Sequence, residues 1–299
     1  MRIHQSNPFA GLDGCVSENM PLARFTWFRL GGPAQWYVRP RSLEELQAAV
    51  LRCRENGISI RVLGLGANLL VSDEGVDGAV FRFSEPHWTR MEFAEDRVEL
   101  GAGVDLQKLV AKCVRQGRAG LECLAGIPGT IGGGVRMNAG GRFGDLGASV
   151  RRVTVMDTEG TVYERERDDL VFEYRRTNIS AAFILDATLE LDEDAPERIL
   201  RKTKEIWMYK KNTQPLNNKS AGCIFKNPAE GRSAGALIDQ AGLKGLRIGG
   251  AEVSPKHANF IVAYPGCKSS DVHELIKVVR QRVLERYSTD LQLEVQIWP

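Results

Sequence analysis

The sequence predicts an α+β protein: two mixed units followed by a β-α-β-β-α-β unit. Short apolar strands alternate with capped helices, glycine-rich loops lie between the elements, and a polar loop at 212–220 precedes a new pattern of elements. The 299 residues are 43% hydrophobic and 26% charged, which allows a sizeable core and excludes a disordered or collagen-like chain.

The first predicted unit combines strands with one helix. Aromatic residues on both sides of the turn at 31–33 indicate two short strands within 25–40. Ser42 begins a capping-box pattern ahead of an apolar helical face, and Gly57 suits the left-handed position after the helix. A strand at 58–63 completes this unit.

The second predicted unit contains a further helix, which begins after Asp105 and ends at Gly117. A dense glycine cluster follows at 125–141. The strand segments expected around these features are a hairpin at 76–83, a strand at 97–100, a hairpin at 151–157 and 161–165, and a strand at 182–191.

A helix at 196–211 leads into the polar loop, which we interpret as a domain boundary. The elements expected after it are a strand at 222–226, a helix at 233–241, strands at 246–253 and 259–263, a helix at 269–287 and a strand at 291–297.

Charge and cysteine content limit the possible partners and compartment. Forty Lys and Arg against 38 Asp and Glu leave a formal charge of +2, which gives no reason to expect nucleic acid or a membrane surface, and no obligate protein partner is indicated. The N-terminus lacks the apolar core of a signal peptide, so a cytoplasmic location is expected. The six dispersed cysteines include no CxxC pair and are expected to be free thiols.

Two glycine loops are candidate phosphate-binding sites because glycine lets backbone N–H groups converge on an anion. The first, Gly64-Leu65-Gly66, has Leu69 where a dinucleotide fingerprint requires its third glycine, and the second, at 125–141, lacks the GK[ST] of a Walker motif. Each loop could be only a tight turn. Two of them separated by a strand and a helix also suit one long diphosphate ligand.

A series of motifs resembles the family of UDP-N-acetylenolpyruvoylglucosamine reductases. They occur in order as RLGGPAQWYV, LGLGANLLVSDEGVDGAV, LAGIPGTIGGGVRMNAG, YRRT, AGCIFKNP, AGALIDQAGLKGLRIGGAEVSPKHANFIV and LEVQIWP. The resemblance implies an FAD-binding fold of the vanillyl-alcohol-oxidase/p-cresol-methylhydroxylase type in two subdomains, at 1–66 and 67–210, and a substrate domain at 211–299. The last strand would return a catalytic residue to the flavin.

The same resemblance implies an NADPH-dependent flavoprotein that converts UDP-N-acetylglucosamine enolpyruvate to UDP-N-acetylmuramate for peptidoglycan synthesis. FAD would be held without a covalent bond, since neither glycine loop contains a histidine. The implied cofactor-binding residues are Gly64, Gly66, Ala67, Asn68, Leu69, Gly126, Ile127, Pro128, Gly129, Thr130, Gly132, Gly133, Asn138, Ala139 and Gly140.

Three residues match the catalytic positions of the family. Arg175 would grip the substrate carboxylate, Glu294 would assist there or in proton transfer, and Cys223 stands where many members have a proton-donating serine. Without the resemblance, a surface salt bridge, a solvent-facing carboxylate and a small buried side chain would be the simpler interpretations. Lys211 and Asn227 match substrate contacts more loosely.

The chain resembles the family type that lacks a tyrosine-bearing insertion, so Tyr174 is given no substrate role. The four histidines show no metal-ligand spacing, and no metal is expected. Two other functions stay open: an FAD oxidase acting on a hydroxy acid or carbohydrate, and a sugar-nucleotide-binding regulator without flavin. The three catalytic candidates argue against the first, and a colourless purified protein that cannot be reconstituted with FAD would exclude both enzyme functions in favour of the second.

Overall fold

The computed structural model describes residues 7–12 and 14–299. The expectation of no signal peptide concerns the N-terminal segment, whose first six residues lie outside the described residues. Unit 1 comprises the described part of Met1–Met20 with Ala34–Gly64 and Asp77–Trp207, and unit 2 comprises Pro21–Pro33, Leu65–Val76 and Met208–Pro299. The division into three domains stays a prediction.

Within the described residues there are six α-helices. They are α1 (Leu43–Glu55), α2 (Leu106–Arg115), α3 (Ile131–Arg136), α4 (Pro196–Thr213), α5 (Ala234–Gln240) and α6 (Ser269–Tyr287). None of them combines the length and the apolar character that a membrane crossing requires.

The strands of the same part of the chain are mostly short. They are β1 (Val16–Pro21), β2 (Pro33–Val38), β3 (Ile60–Val62), β4 (Leu69–Val71), β5 (Val76–Phe81), β6 (Met91–Phe93), β7 (Arg97–Gly101), β8 (Arg118–Ala119), β9 (Gly140–Gly141), β10 (Gly144–Asp145), β11 (Val150–Met156), β12 (Val162–Glu166), β13 (Phe172–Glu173), β14 (Arg176–Thr177), β15 (Phe183–Glu190), β16 (Asp192–Glu193), β17 (Arg247–Ile248), β18 (Ala251–Val253), β19 (Ile261–Ala263) and β20 (Gln296–Trp298).

Unit 1 is built on two sheets. One has the order β1-β2-β5-β3, in which β3 and β5 run parallel. The other has the order β12-β11-β15-β7-β6 and is antiparallel throughout. Trp88, 1% exposed, lies in the core of this unit and donates from its indole nitrogen to the carbonyl of Pro40 at 2.7 Å. That bond satisfies the one polar group of a large buried side chain.

The caps predicted for the first two helices are confirmed. Ser42 accepts from the N–H of Glu45 at 3.4 Å, and Gly57 has φ +63°. The Glu45 carboxylate accepts from the N–H of Arg41 at 2.7 Å, one residue before the usual capping-box donor. Asp105 begins α2 by accepting from two N–H groups of the first turn.

Unit 2 contains the sheet β17-β18-β19, helices α5 and α6, and the pair β20-β4. The helix predicted at 269–287 is confirmed at both ends. Its first turn is capped by a loop residue distant in sequence, because the Asp73 carboxylate accepts from the N–H groups of Ser269 at 2.7 Å and Ser270 at 3.0 Å. This cap ties the loop after β4 to α6.

Four strand predictions were wrong. The stretch before Pro33 forms no strand, because Thr26 exchanges hydrogen bonds with the backbone of Leu30 and closes a local loop. The segment at 76–83 is one strand instead of a hairpin, and Gly78 lies inside it at φ +95°, where a Cβ would collide with Ser59.

In unit 2, the segment at 222–226 makes only isolated bridges instead of a strand. The stretch at 246–253 is the hairpin of β17 and β18 instead of one strand. The short helix α3 and strand β1 were not predicted. All six cysteines are free thiols, and burial raises the pKa of both Cys53 and Cys113 to about 12.

Candidate active site

The second glycine loop of unit 1 is attached to the start of α2. Thr130 pairs with Asp105 in an antiparallel bridge whose two hydrogen bonds are made by their neighbours, at 3.0 Å and 2.9 Å. In such a pair the N–H groups of the two residues themselves point away from each other. The N–H of Thr130 therefore faces away from the α2 side of the loop.

Gln107 holds the same loop from inside the first turn of α2. Its amide donates to the carbonyls of Leu124 at 3.0 Å and Ile127 at 2.6 Å, and its oxygen accepts from the N–H of Gly126 at 2.9 Å. The residues at 124–127 are thereby fixed at three backbone atoms by one side chain. Gln107 was not among the predicted site residues.

Glycine at several loop positions is required by close contacts. A Cβ on Gly64 would lie 2.9 Å from Oγ1 of Thr130, so the first residue of the first loop lies against the second loop within unit 1. A Cβ on Gly132 would lie 3.0 Å from that of Ala102. Gly126 has φ +73°, a conformation that favours glycine.

Asn138 joins the predicted flavin wall to the segment that carries Arg175. Its side chain is 2% exposed, donates to the carbonyl of Glu173 at 3.0 Å and accepts from the N–H of Gly147 at 2.9 Å. Its own backbone has φ +42°, which is uncommon for a residue other than glycine.

Arg175 occupies the two-residue turn between β13 and β14 and has φ +58°. Its guanidinium donates to the carbonyl of Gly140 at 2.8 Å and lies 5.1 Å from the ring centre of Tyr174. A left-handed residue in a turn held by its neighbours is a common form of strain at functional sites. Two predicted site residues, Arg175 and Gly140, are thus in direct contact.

Arg136 supports the segment that follows this turn, and the sequence analysis missed it. Its guanidinium donates to the carbonyls of Ile179 and Ala181. Burial lowers the pKa of this guanidinium, and the carbonyl contacts satisfy its donors inside the unit. Its signal in the sequence was an arginine inside the second glycine cluster, which was interpreted as either a phosphate-binding loop or a tight turn.

The first glycine loop continues in unit 2. Gly66 has φ +63°, and a Cβ there would collide with the carbonyl of Phe25. Asn68 donates from its side chain to the carbonyl of Glu294 at 3.0 Å, and its own carbonyl accepts from the N–H of Gln296 at 3.0 Å. Strand β20 then runs parallel to β4, beginning with the pair Gln296 and Leu69.

Cys223 and Glu294 lie on neighbouring segments of unit 2. Phe225 and Leu293 form an antiparallel bridge, and the N–H of Glu294 donates to the carbonyl of Ile224 at 2.8 Å. Both catalytic candidates are half-buried. The structure therefore brings together Asn68, Glu294 and the backbone beside Cys223, three parts of the predicted site.

The two predicted substrate residues have local roles as well. Asn227 accepts from the N–H of Ala234 at 3.1 Å, at the first residue of α5. Lys211 is exposed near the end of α4, and its carbonyl accepts from Nζ of Lys256 at 2.5 Å. Within the described residues, no three His, Cys, Asp or Glu side chains are grouped in a way that could hold a metal ion.

Comparison with known proteins finds a family match for each of two parts of the chain. Residues 34–165 match the FAD binding domain family, and residues 214–298 match the C-terminal domain of UDP-N-acetylenolpyruvoylglucosamine reductase. The reductase of that name from Moorella thermoacetica is 41% identical over 96% of this chain and 95% of its own length. The chain belongs to the UDP-N-acetylenolpyruvoylglucosamine reductase family.

Two further members of the reductase family are also similar to this chain over nearly its whole length. The Bacillus licheniformis reductase is 35% identical over 95% of this chain and 94% of its own length. The crystal structure of the Thermus caldophilus reductase superposes with a TM-score of 0.81 at 39% identity, and covers 95% of this chain and 98% of that one. The predicted α+β FAD-binding fold is confirmed.

The residues present suit the flavin that the reductase family requires. The segment at 126–133 contains no acidic side chain, and the N–H of Thr130 points away from its bridge partner. Backbone N–H donors are the chemistry that a diphosphate needs. Arg175 belongs to unit 1, whereas Cys223 and Glu294 belong to unit 2.

Proposed function

We propose that Arg175, Cys223 and Glu294 carry the reduction of UDP-N-acetylglucosamine enolpyruvate to UDP-N-acetylmuramate, a step of peptidoglycan precursor synthesis. The protein is an FAD-dependent oxidoreductase that acts on a CH–CH bond with NADPH as the electron donor. When bound, FAD accepts a hydride from NADPH and supplies it to one carbon of the enol ether. Cofactor binding, substrate orientation and proton transfer are performed by residues of the protein.

The protein must hold the diphosphate of the flavin without much positive charge. The residues proposed for this are the cofactor-binding set already named: Gly64, Gly66, Ala67, Asn68, Leu69, Gly126, Ile127, Pro128, Gly129, Thr130, Gly132, Gly133, Asn138, Ala139 and Gly140. Their support is the glycine conformations, the attachment of the second loop by Gln107 and the absence of acidic side chains from it.

Arg175 holds the carboxylate of the substrate. As hydride adds to one alkene carbon, negative charge develops on the adjacent carbon and spreads into this carboxylate. A planar guanidinium can form two parallel hydrogen bonds to a carboxylate, and one nitrogen of Arg175 donates to the Gly140 carbonyl. The left-handed turn and that contact fix the direction of the side chain.

Cys223 supplies the proton that completes the reduction. The C=C double bond becomes a C–C single bond as two C–H bonds form, one from the hydride and one from the thiol proton, and solvent reprotonates the resulting thiolate. Glu294 assists at the carboxylate or in that proton transfer. The observation that carries this assignment is the 2.8 Å bond from Glu294 to Ile224, the residue after Cys223, together with the bond from Asn68 to Glu294.

The sugar nucleotide is assigned to Lys211 and Asn227, which are both exposed in unit 2. Lysine can contact a phosphate as a point charge, and an asparagine amide can both donate and accept hydrogen bonds. We place the protein in the cytoplasm, because six free thiols are typical of a reducing compartment.

Replacement of Cys223 tests the proposal by separating the two half-reactions. Under anaerobic conditions, Cys223→Ala should be reduced by NADPH at the wild-type rate, because that step needs no thiol. Its reoxidation by the UDP-sugar should slow by about 100-fold or more, the usual contribution of a general acid. Cys223→Ser should keep measurable turnover, since a hydroxyl can also donate a proton. Stopped-flow absorbance of the flavin follows both steps.

Cys267→Ala is the matched control in the same unit. Burial raises the pKa of Cys267 to about 11, and its thiol donates to the carbonyl of Lys268 at 3.4 Å. This variant should behave as wild type in both half-reactions. Wild-type reoxidation by Cys223→Ala would end the assignment of the thiol, and a wild-type flavin that the UDP-sugar cannot reoxidise would refute the function itself.

A further inference from the structure

On one side, the segment that carries Cys223 is joined to the stretch before β19 only by an isolated antiparallel bridge between Cys223 and Phe260. Asn259 makes the hydrogen bonds beside that bridge. Its backbone carbonyl accepts from the N–H of Ile224 at 2.9 Å, its side-chain oxygen accepts from the N–H of Phe225 at 3.0 Å, and its side-chain nitrogen donates to the carbonyl of Phe225 at 2.8 Å. One residue thus satisfies three backbone groups next to the cysteine.

The other side of the segment is held by the stretch that carries Glu294. The N–H of Lys226 donates to the carbonyl of Gln292 at 2.8 Å, and the carbonyl of Ile224 accepts from the N–H of Glu294 at 2.8 Å. Phe225 is therefore held in place by Asn259 on one side and by its bridge to Leu293 on the other.

We propose that Asn259 is a positioning residue for proton delivery: its side chain fixes the Phe225 backbone and thereby sets the position of Cys223 relative to Glu294. This inference rests on the proposed function, because it concerns the distance between two groups of that site. Asn259 would act through the backbone alone and touch neither substrate nor flavin.

The amide is the group suited to this task. Asn259 is 4% exposed, so each polar atom must find a partner inside the protein. An amide offers both a donor and an acceptor, whereas an ionised carboxylate offers acceptors only and would face the Phe225 carbonyl without a hydrogen. The residue is itself held, because its N–H donates to Nδ1 of His257 at 3.3 Å.

Asn259→Asp tests the inference with almost no change of shape. In the anaerobic stopped-flow assay, we expect reduction by NADPH within twofold of wild type and reoxidation by the UDP-sugar at least tenfold slower. In steady state the loss should be in kcat, with KM for the UDP-sugar changed less than threefold. Should the aspartate variant not fold with flavin, Asn259→Ser removes the same bridge without adding a charge and is measured in its place.

Val279→Ala is the matched control for loss of stability, since Val279 is 1% exposed in the core of the same unit. It should lower the melting temperature and leave both half-reactions within twofold of wild type. Reoxidation of Asn259→Asp within twofold of wild type, equal slowing of its two half-reactions, or the same selective loss in Val279→Ala would overturn the inference. A wild-type enzyme that the UDP-sugar cannot reoxidise would instead refute the proposed function.

Discussion

Replacement of Gln107 by alanine should weaken flavin binding, although Gln107 is not itself among the predicted cofactor-binding residues. The side chain makes three hydrogen bonds to the backbone at 124–127. Alanine removes all three, while the helix that carries residue 107 keeps its cap at Asp105. The loop would then have to be ordered by the cofactor itself.

The size of the effect follows from the number of bonds. Each contributes about 0.5–1.5 kcal/mol net, so three contribute about 1.5–4.5 kcal/mol to the ordering of the loop. If that ordering occurs on binding, the same free energy is lost from FAD affinity. Since about 1.4 kcal/mol is a factor of ten, the Kd for FAD should rise by about 10-fold to 1,000-fold.

Titration of the apoprotein with FAD, followed by quenching of flavin fluorescence, measures this Kd. Gln47→Ala is the control, because that side chain makes one comparable bond in the same unit, to the carbonyl of Gly160 at 2.8 Å. It should leave the Kd unchanged. A Kd for Gln107→Ala within threefold of wild type would show that the side chain does not support the flavin loop.

Three other changes have defined outcomes. Arg175→Lys should lower kcat for the UDP-sugar at least tenfold with unchanged flavin reduction by NADPH, because a point charge cannot form two parallel bonds to a carboxylate; a wild-type kcat would contradict the assigned grip. Gly66→Ala should purify with little flavin, judged by the ratio of visible to ultraviolet absorbance, because the added Cβ collides with Phe25; full flavin content would show that the turn adapts. Asp73→Asn should lower the free energy of unfolding by about 1 kcal/mol at pH 7. Burial alone would raise the pKa of Asp73, but its hydrogen bonds at the start of α6 outweigh burial and lower that pKa. The difference in stability between the two proteins, measured by urea titration, should therefore vanish as the pH falls below about 4. A stability difference that persists at low pH would contradict the charged cap.

The helices were predictable because their signals are local. Ser42, Asp105 and the apolar face at 269–287 each determine an element within a few residues, and all three were confirmed. Strand pairing depends on distant partners. A hairpin was predicted at 76–83, yet Gly78 lies within β5, where Ser59 leaves no room for a Cβ.

The candidate site shows the same contrast. The motifs indicated Arg175, Cys223 and Glu294, because a family resemblance identifies the residue types that perform the chemistry. The roles of these three residues stay proposals. The resemblance did not indicate Gln107 or Asn259, whose side chains form their hydrogen bonds with backbone atoms. An amide that satisfies a loop leaves no periodicity and no charge pattern in the sequence, so only coordinates could find it.

The parallel pairing of β4 with β20 affects how the protein must assemble. Asn68 and Glu294 are separated by 226 positions, and closing so long a loop costs entropy before any contact compensates for it. During translation, the turn at 66–69 cannot reach its final geometry until the ribosome has released residue 298. Any contact that residues 66–69 make with the cofactor would therefore form late, and we expect partly synthesised chains to remain colourless.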